Sequence, residues 1–179
     1  MNTLERVSTR EAVERASARR RRRERAQRWV RFALIVAAVL VVDQALKAIV
    51  RGTMDEGDSI HVFPGLEIVR ITNEGIAFGL FPGRQSVVAV LTVVALCGIA
   101  LALAGLGRRN GLVVTGGALL MGGSLGNLTD RLAQGGVTDF IDPAAWPAFN
   151  AADVAIVAGA VIVVIGLMRP AQDGGRDAG

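Results

Sequence analysis

An all-α integral membrane protein, with four transmembrane helices and a small extracytoplasmic β-element, is the fold class this sequence predicts. Three observations predict it. Of the 179 residues, 51% are hydrophobic and the mean hydropathy is +0.44, more than a soluble fold of this length normally carries. The apolar residues gather in four runs, at about 29–50, 86–106, 111–128 and 149–168. Each run is roughly 18 to 22 residues, the length an α-helix needs to cross about 30 Å of hydrocarbon. The arginine clusters flank these runs in a pattern that gives both chain termini the same side of a membrane.

Residues 1–28 form a basic tail. Arg15, Arg19 to Arg23, Arg25, Arg28 and Arg31 make a block ahead of the first span. A mobile or loosely helical tail that anionic inner-leaflet lipids attract is expected there. The formal charge of +4 does not imply a nucleic-acid partner, because the basic residues are not spread over a face. Arginines followed by an apolar run resemble a secretory signal peptide. The first run is too long for a typical h-region, however, and contains Asp43 and Lys47, so it reads as a retained helix. Arg108 and Arg109 lie between spans two and three, and Arg169 follows span four. The positive-inside rule then makes both termini cytoplasmic, with 51–85 and 129–148 outside, 29–168 the membrane domain and 169–179 a cytoplasmic tail.

In the first external segment, Leu66 to Thr72 alternates as a half-buried strand does, between turns marked by Pro64-Gly65 and Pro82-Gly83. So small a β-element must pack on the membrane domain to be stable. Span three carries Gly122 and Gly126 four apart on one helix face. That spacing allows close helix approach, and equally leaves room for an extended substrate segment. At the start of span four, Asn150 suits an N-cap and Asp153 the N3 position, where a helix N-terminus favours a negative charge. Cys97, the single cysteine, lies within span two and reads as a packing residue; His61, the single histidine, reads as a surface residue. Neither offers a metal or nucleophile site, and no cofactor is expected.

Carboxylates in a bilayer cost about 2.5 to 3.5 kcal/mol each on insertion scales, so each needs a reason. Asp43, Asp130, Asp139 and Asp153 all fall toward the outer side. Asp43 and Lys47 stand i and i+4, where an ion pair or a snorkelling lysine is the ordinary expectation. For Asp130 an ion pair or hydrogen-bonded turn involving Arg131 is preferred to direct chemistry. Two carboxylates held close together share a proton, one acting as base and the other as acid, which is the arrangement of aspartic proteases. A proton-coupled transporter would place its carboxylates near the midplane in paired repeats, which this chain lacks. A scaffold would leave the aspartates unexplained.

At this point the sequence resembles a known family. Asp43-Gln44-Ala45-Leu46-Lys47 is similar to a first-helix DQxxK element, and Asn73 to Phe78 to an external NxGxAF element. Gly122 to Arg131 resembles GGxxGNxxDR, Val137 to Phe140 resembles VxDF, and Phe149 to Asp153 resembles FNxAD. Together, in order, they resemble the lipoprotein signal peptidases (signal peptidase II). The resemblance implies a bacterial cell-membrane aspartyl endopeptidase that removes signal peptides from diacylglyceryl-modified prolipoproteins at the lipobox cysteine. It implies Asp139 and Asp153 as the catalytic pair, facing the outer side. Asn127 and Arg131 would line the site and hold the substrate backbone, with Asp43, Lys47, Asn73, Asp130 and Asn150 in support. Inhibition by globomycin-type cyclic peptides is also implied, and a monomer is expected. The chain departs from the family pattern in Ile76, where alanine is common, in a short Asp139 to Asp153 stretch, and in the long basic tail.

Overall fold

The computed structural model of the chain describes residues 3–74, 92, 98 and 110–168, with side chains from residue 13 onward. Span two apart from residues 92 and 98, with Cys97, and positions 75–78 of the external element lie outside the described residues.

Helix α1 runs without a break from Thr3 to Thr53, so the basic tail and the first span form one element. Ala, Arg and Glu fill the tail and are strong helix formers. An exposed Arg20–Glu24 pair at 2.9 Å adds i, i+4 support. Where the apolar stretch begins, Trp29 and Phe32 meet edge to face, ring centroids 5.6 Å apart.

Helix α2 spans Gly111–Gln134 and α3 spans Ala151–Met168. Among the described residues, α1, α2 and α3 are long and apolar enough to cross a membrane. Helix α2 continues past the expected end of span three. Its true stop is Gly135, a left-handed C-cap at φ 78° whose N–H bonds the Arg131 carbonyl. Asp130 is therefore a helical residue inside the last turns of α2 rather than the residue that ends span three.

Small residues set the packing of these helices. A Cβ on Gly122 would fall 2.8 Å from the Val39 Cβ of α1, and one on Gly126 would fall 2.6 Å from the Asp43 Oδ2. A Cβ on Gly123 would run into the Ala152 carbonyl oxygen of α3. Helix α2 thus lies between α1 and α3 at close range, and of the two readings of its glycines the packing one is realised.

Strands β1 (Ser59–Phe63), β2 (Leu66–Asn73) and β3 (Val137–Pro143) form one antiparallel sheet in the order β1-β2-β3. The expected strand at 66–72 is β2. Pro64-Gly65 closes the β1–β2 hairpin with Gly65 at φ 93°, which suits a turn that requires a positive φ at its second central residue. Strand β3 was not anticipated: the segment 129–148 reads as loop. Its first four residues are all buried, so it lacks the alternation that marks a half-exposed strand. The sheet rests on the end of α1, where Val50 and Met54 pack with Phe140, and Ile68, Ile141 and Ala151 close around them.

Candidate active site

Strand β3 delivers Asp139 and the first turn of α3 delivers Asp153. Asn150, fully buried, touches both. Its Nδ2 donates to Asp139 Oδ1 at 2.6 Å, and its Oδ1 accepts from the Asp153 backbone N–H at 3.1 Å. The Asn150 backbone N–H returns a bond to Asp153 Oδ2 at 3.2 Å. This reciprocal pattern is a capping box with aspartate in place of glutamate, as the N-cap and N3 reading expected. Asn73, the last residue of β2, donates to Asp139 Oδ2 at 3.0 Å. Asn127 of α2 donates to Asp153 Oδ1 at 2.8 Å. Each aspartate therefore takes a bond on both oxygens.

Behind the pair lies a charge network with almost no exposure. The Lys47 ammonium reaches Asp43 at 2.9 Å, Asp130 at 3.2 Å and Asn127 Oδ1 at 2.9 Å. An ammonium has three donors, and all three are used. The contact to Asn127 also fixes that amide: its oxygen must face the lysine, so its NH2 must face Asp153. Asp43 reaches across to cap α3, accepting the Ala152 N–H at 2.9 Å. Gln44 Nε2 sits within 3.2 Å of Asp43 Oδ2, Asp130 Oδ1 and the Gly126 carbonyl. Arg51 adds a second cation near Asp130 at 3.5 Å. Two carboxylates thus face two cations, and among the described residues no buried side-chain N or O lacks a hydrogen-bond partner.

The two aspartates open onto a cavity of about 300 Å³. Asn73, Asn127 and Arg131 share its lining, with Val137, Trp146, Pro147, Phe149, Ile156 and Val157 giving apolar wall. Burial first, and then the neighbouring Asp153 charge, push the Asp139 carboxyl up to about 6. The Asn73 and Asn150 bonds and the Lys47 charge oppose the rise without cancelling it. A carboxyl that holds its proton close to neutrality beside a second carboxylate is suited to acid–base chemistry on a bound carbonyl.

Every described residue expected to form or support the site falls in one of these two layers. Asn73, Asn127, Arg131, Asp139 and Asp153 line the cavity; Asp43, Lys47, Asp130 and Asn150 stand behind it. Asp43 pairs with Lys47 as expected. Besides its electrostatic interaction with Arg131, Asp130 has partners that were not expected: its ion pairs run to Lys47 and Arg51, and it accepts the Thr138 N–H at 3.0 Å. His61 is on the surface of β1, 3.9 Å from Glu67. Sequence reasoning gave Gln44 and Thr138, present in the quoted motifs, no role of their own, and it missed Arg51. Arg51 stands one turn beyond Lys47, and that i+4 spacing was the available signal.

Comparison with known proteins places this geometry. Residues 35–169 match the peptidase A8 family, signal peptidase (SPase) II. A lipoprotein signal peptidase of Pelotomaculum thermopropionicum is 42% identical over 137 residues, covering 76% of this chain and 90% of that one. Another, of Moorella thermoacetica, is 37% identical over 82% of this chain and 98% of its own length. A solved bacterial membrane enzyme superposes with a TM-score of 0.73 at 30% identity, covering 83% of this chain and 93% of that one. A second gives 0.70 at 32% identity, over 77% and 92%. The chain belongs to the lipoprotein signal peptidase (signal peptidase II) family and is a membrane protease of lipoprotein processing.

Proposed function

We propose that Asp139 and Asp153 are the catalytic dyad of this peptidase, cutting diacylglyceryl-modified prolipoproteins on the amino side of the lipobox cysteine. The observation that carries the reading is that one buried asparagine bonds both carboxyls at the wall of the cavity, Asp139 through its side-chain amide and Asp153 through its backbone N–H. Asp153, at a helix N-terminus with both oxygens accepting bonds, acts as the base that takes a proton from the attacking water. Asp139, the member whose carboxyl burial shifts toward the protonated form, polarises the scissile carbonyl when protonated and then passes its proton on as the amine leaves; the pair titrates as a unit. Asn127 and Arg131 hold the substrate backbone. Asn73, Asn150, Asp43, Lys47 and Asp130 keep the two carboxyls in place.

The chain crosses the membrane four times, with residues 86–106 as the second span and both termini in the cytoplasm. The sheet and the dyad face the outer side. The substrate's acyl chains stay in the bilayer, which confines the cleavage site near the dyad and replaces part of the search. The arginine block of α1 holds anionic inner-leaflet lipids, the enzyme works as a monomer, and globomycin-type peptides occupy the cavity.

The test is a gel-shift cleavage assay on a diacylglyceryl-modified prolipoprotein with purified enzyme in detergent. Wild type is expected to cut, and Asp139→Asn and Asp153→Asn, at equal folded amounts, are expected to be inactive. Near-normal activity in either variant overturns the dyad.

A further inference from the structure

The two aspartates ride on different bodies, Asp139 on the sheet and Asp153 on a helix, so something must fix the height of one over the other. The contacts that do so converge on the last turn of α1. Thr138, the residue before Asp139, is 4% exposed. Its hydroxyl accepts from Arg51 Nη1 at 3.1 Å, and its backbone N–H donates to Asp130 at 3.0 Å. Successive side chains in a strand point to opposite faces. Anchoring the Thr138 side chain against the helices therefore also sets which way Asp139 faces. The Arg51 backbone is held too: its carbonyl and that of Met54 accept from the Arg70 guanidinium of β2 at 3.2 and 2.7 Å. The two carbonyls lie in the last turn of α1 and just beyond it, where backbone acceptors run out of intrahelical donors.

We propose that Arg51 is a positioning residue for the peptidase reaction. It bonds neither aspartate; through Thr138 and Asp130 it holds β3 at the height where Asp139 meets Asp153. The inference rests on the dyad reading above. Losing one such bond should cost about tenfold in rate, the equivalent of roughly 1.4 kcal/mol.

The experiment is steady-state cleavage, per folded enzyme, by Arg51→Met, Arg51→Lys, Thr138→Val and the Arg51→Met/Thr138→Val double variant. Arg51→Met and Thr138→Val are each expected to lower kcat about tenfold with KM within about twofold, and the double variant to be no slower than Arg51→Met. Arg51→Lys keeps the charge and is expected to recover part of kcat. Should Arg51→Met not fold, the kcat loss at constant KM in Thr138→Val and Arg51→Lys decides the matter. A double variant about a hundredfold slower, a loss confined to KM, or wild-type kcat in Thr138→Val overturns the proposal. An active Asp139→Asn enzyme overturns the dyad itself, so the two failures are distinct.

Discussion

Lys47→Met is the most informative single change. The lysine has no exposed surface, and its three acceptors are Asp43, Asp130 and Asn127. Methionine keeps an unbranched stem of similar length but leaves the two buried carboxylates with the neutral Gln44 amide between them and Arg51 as the remaining cation of the network, on Asp130. Breaking a buried pair from one side costs about 3–5 kcal/mol, against a typical total stability of about 5–15 kcal/mol. At about 2–4 °C per kcal/mol for a chain of this size, the melting midpoint in detergent should fall by about 6–20 °C. The rate should fall as well. Without the lysine the Asn127 oxygen loses its donor, and only the bond to Asp153 is left to orient the amide. Cleavage per folded enzyme should therefore drop at least about tenfold. Adding Asp130→Asn removes one stranded carboxylate, so it should recover part of the midpoint and none of the rate. Melting within about 2 °C of wild type, together with wild-type cleavage, would refute the reasoning.

Gly126→Ala forces a Cβ to 2.6 Å from Asp43 Oδ2, so folded yield and activity should both collapse. Gly52→Ala, with nothing within 4 Å of the added Cβ, should match wild type or gain up to about 1 kcal/mol; thermal melts of the two compare them directly. Asn150→Ala removes the α3 cap and an Asp139 bond. It should cost about 0.5–2 kcal/mol of stability and far more in kcat, and a kcat within twofold of wild type would count against its bridging role. For pH, the Asp139 carboxyl lies at about 6 in the fold against about 3.9 unfolded. The fold thus favours its neutral form, and that stabilisation is complete below about pH 4 and lost as pH rises through 6. Asp139→Asn stays neutral throughout, so its melting midpoint should gain on wild type between pH 4 and 7 and then level off. Midpoints that move in parallel would contradict the shift.

Much of this site was legible because it is built from local spacings. The i, i+4 step from Asp43 to Lys47 and the i, i+3 step from Asn150 to Asp153 each fix a contact within one helix, and both are realised. What stayed hidden depends on tertiary pairing. Strand β3 is covered from its first residue, so its pattern carries no alternation, and only β2 beside it shows that Val137 to Pro143 is extended. The partners of Asp130 come from α1 and β3, and no spacing near residue 130 could announce them. Helix α2 was read too short because Asp130 and Arg131 look like the edge of a span. The Gly135-Gly136 stop signal four residues later was the better guide.

The i, i+4 pairing of Asp43 with Lys47 also bears on how the chain enters the bilayer. Helix α1 precedes α2 and α3 in the chain, so it can reach hydrocarbon before Asp130, Asn127 or the α3 N-terminus exists to receive its polar groups. Two separate charges would then each cost about 2.5–3.5 kcal/mol. Because the pair closes within a single helix, α1 can insert as a locally neutral segment. The later helices add their partners to a site whose first ion pair is already made.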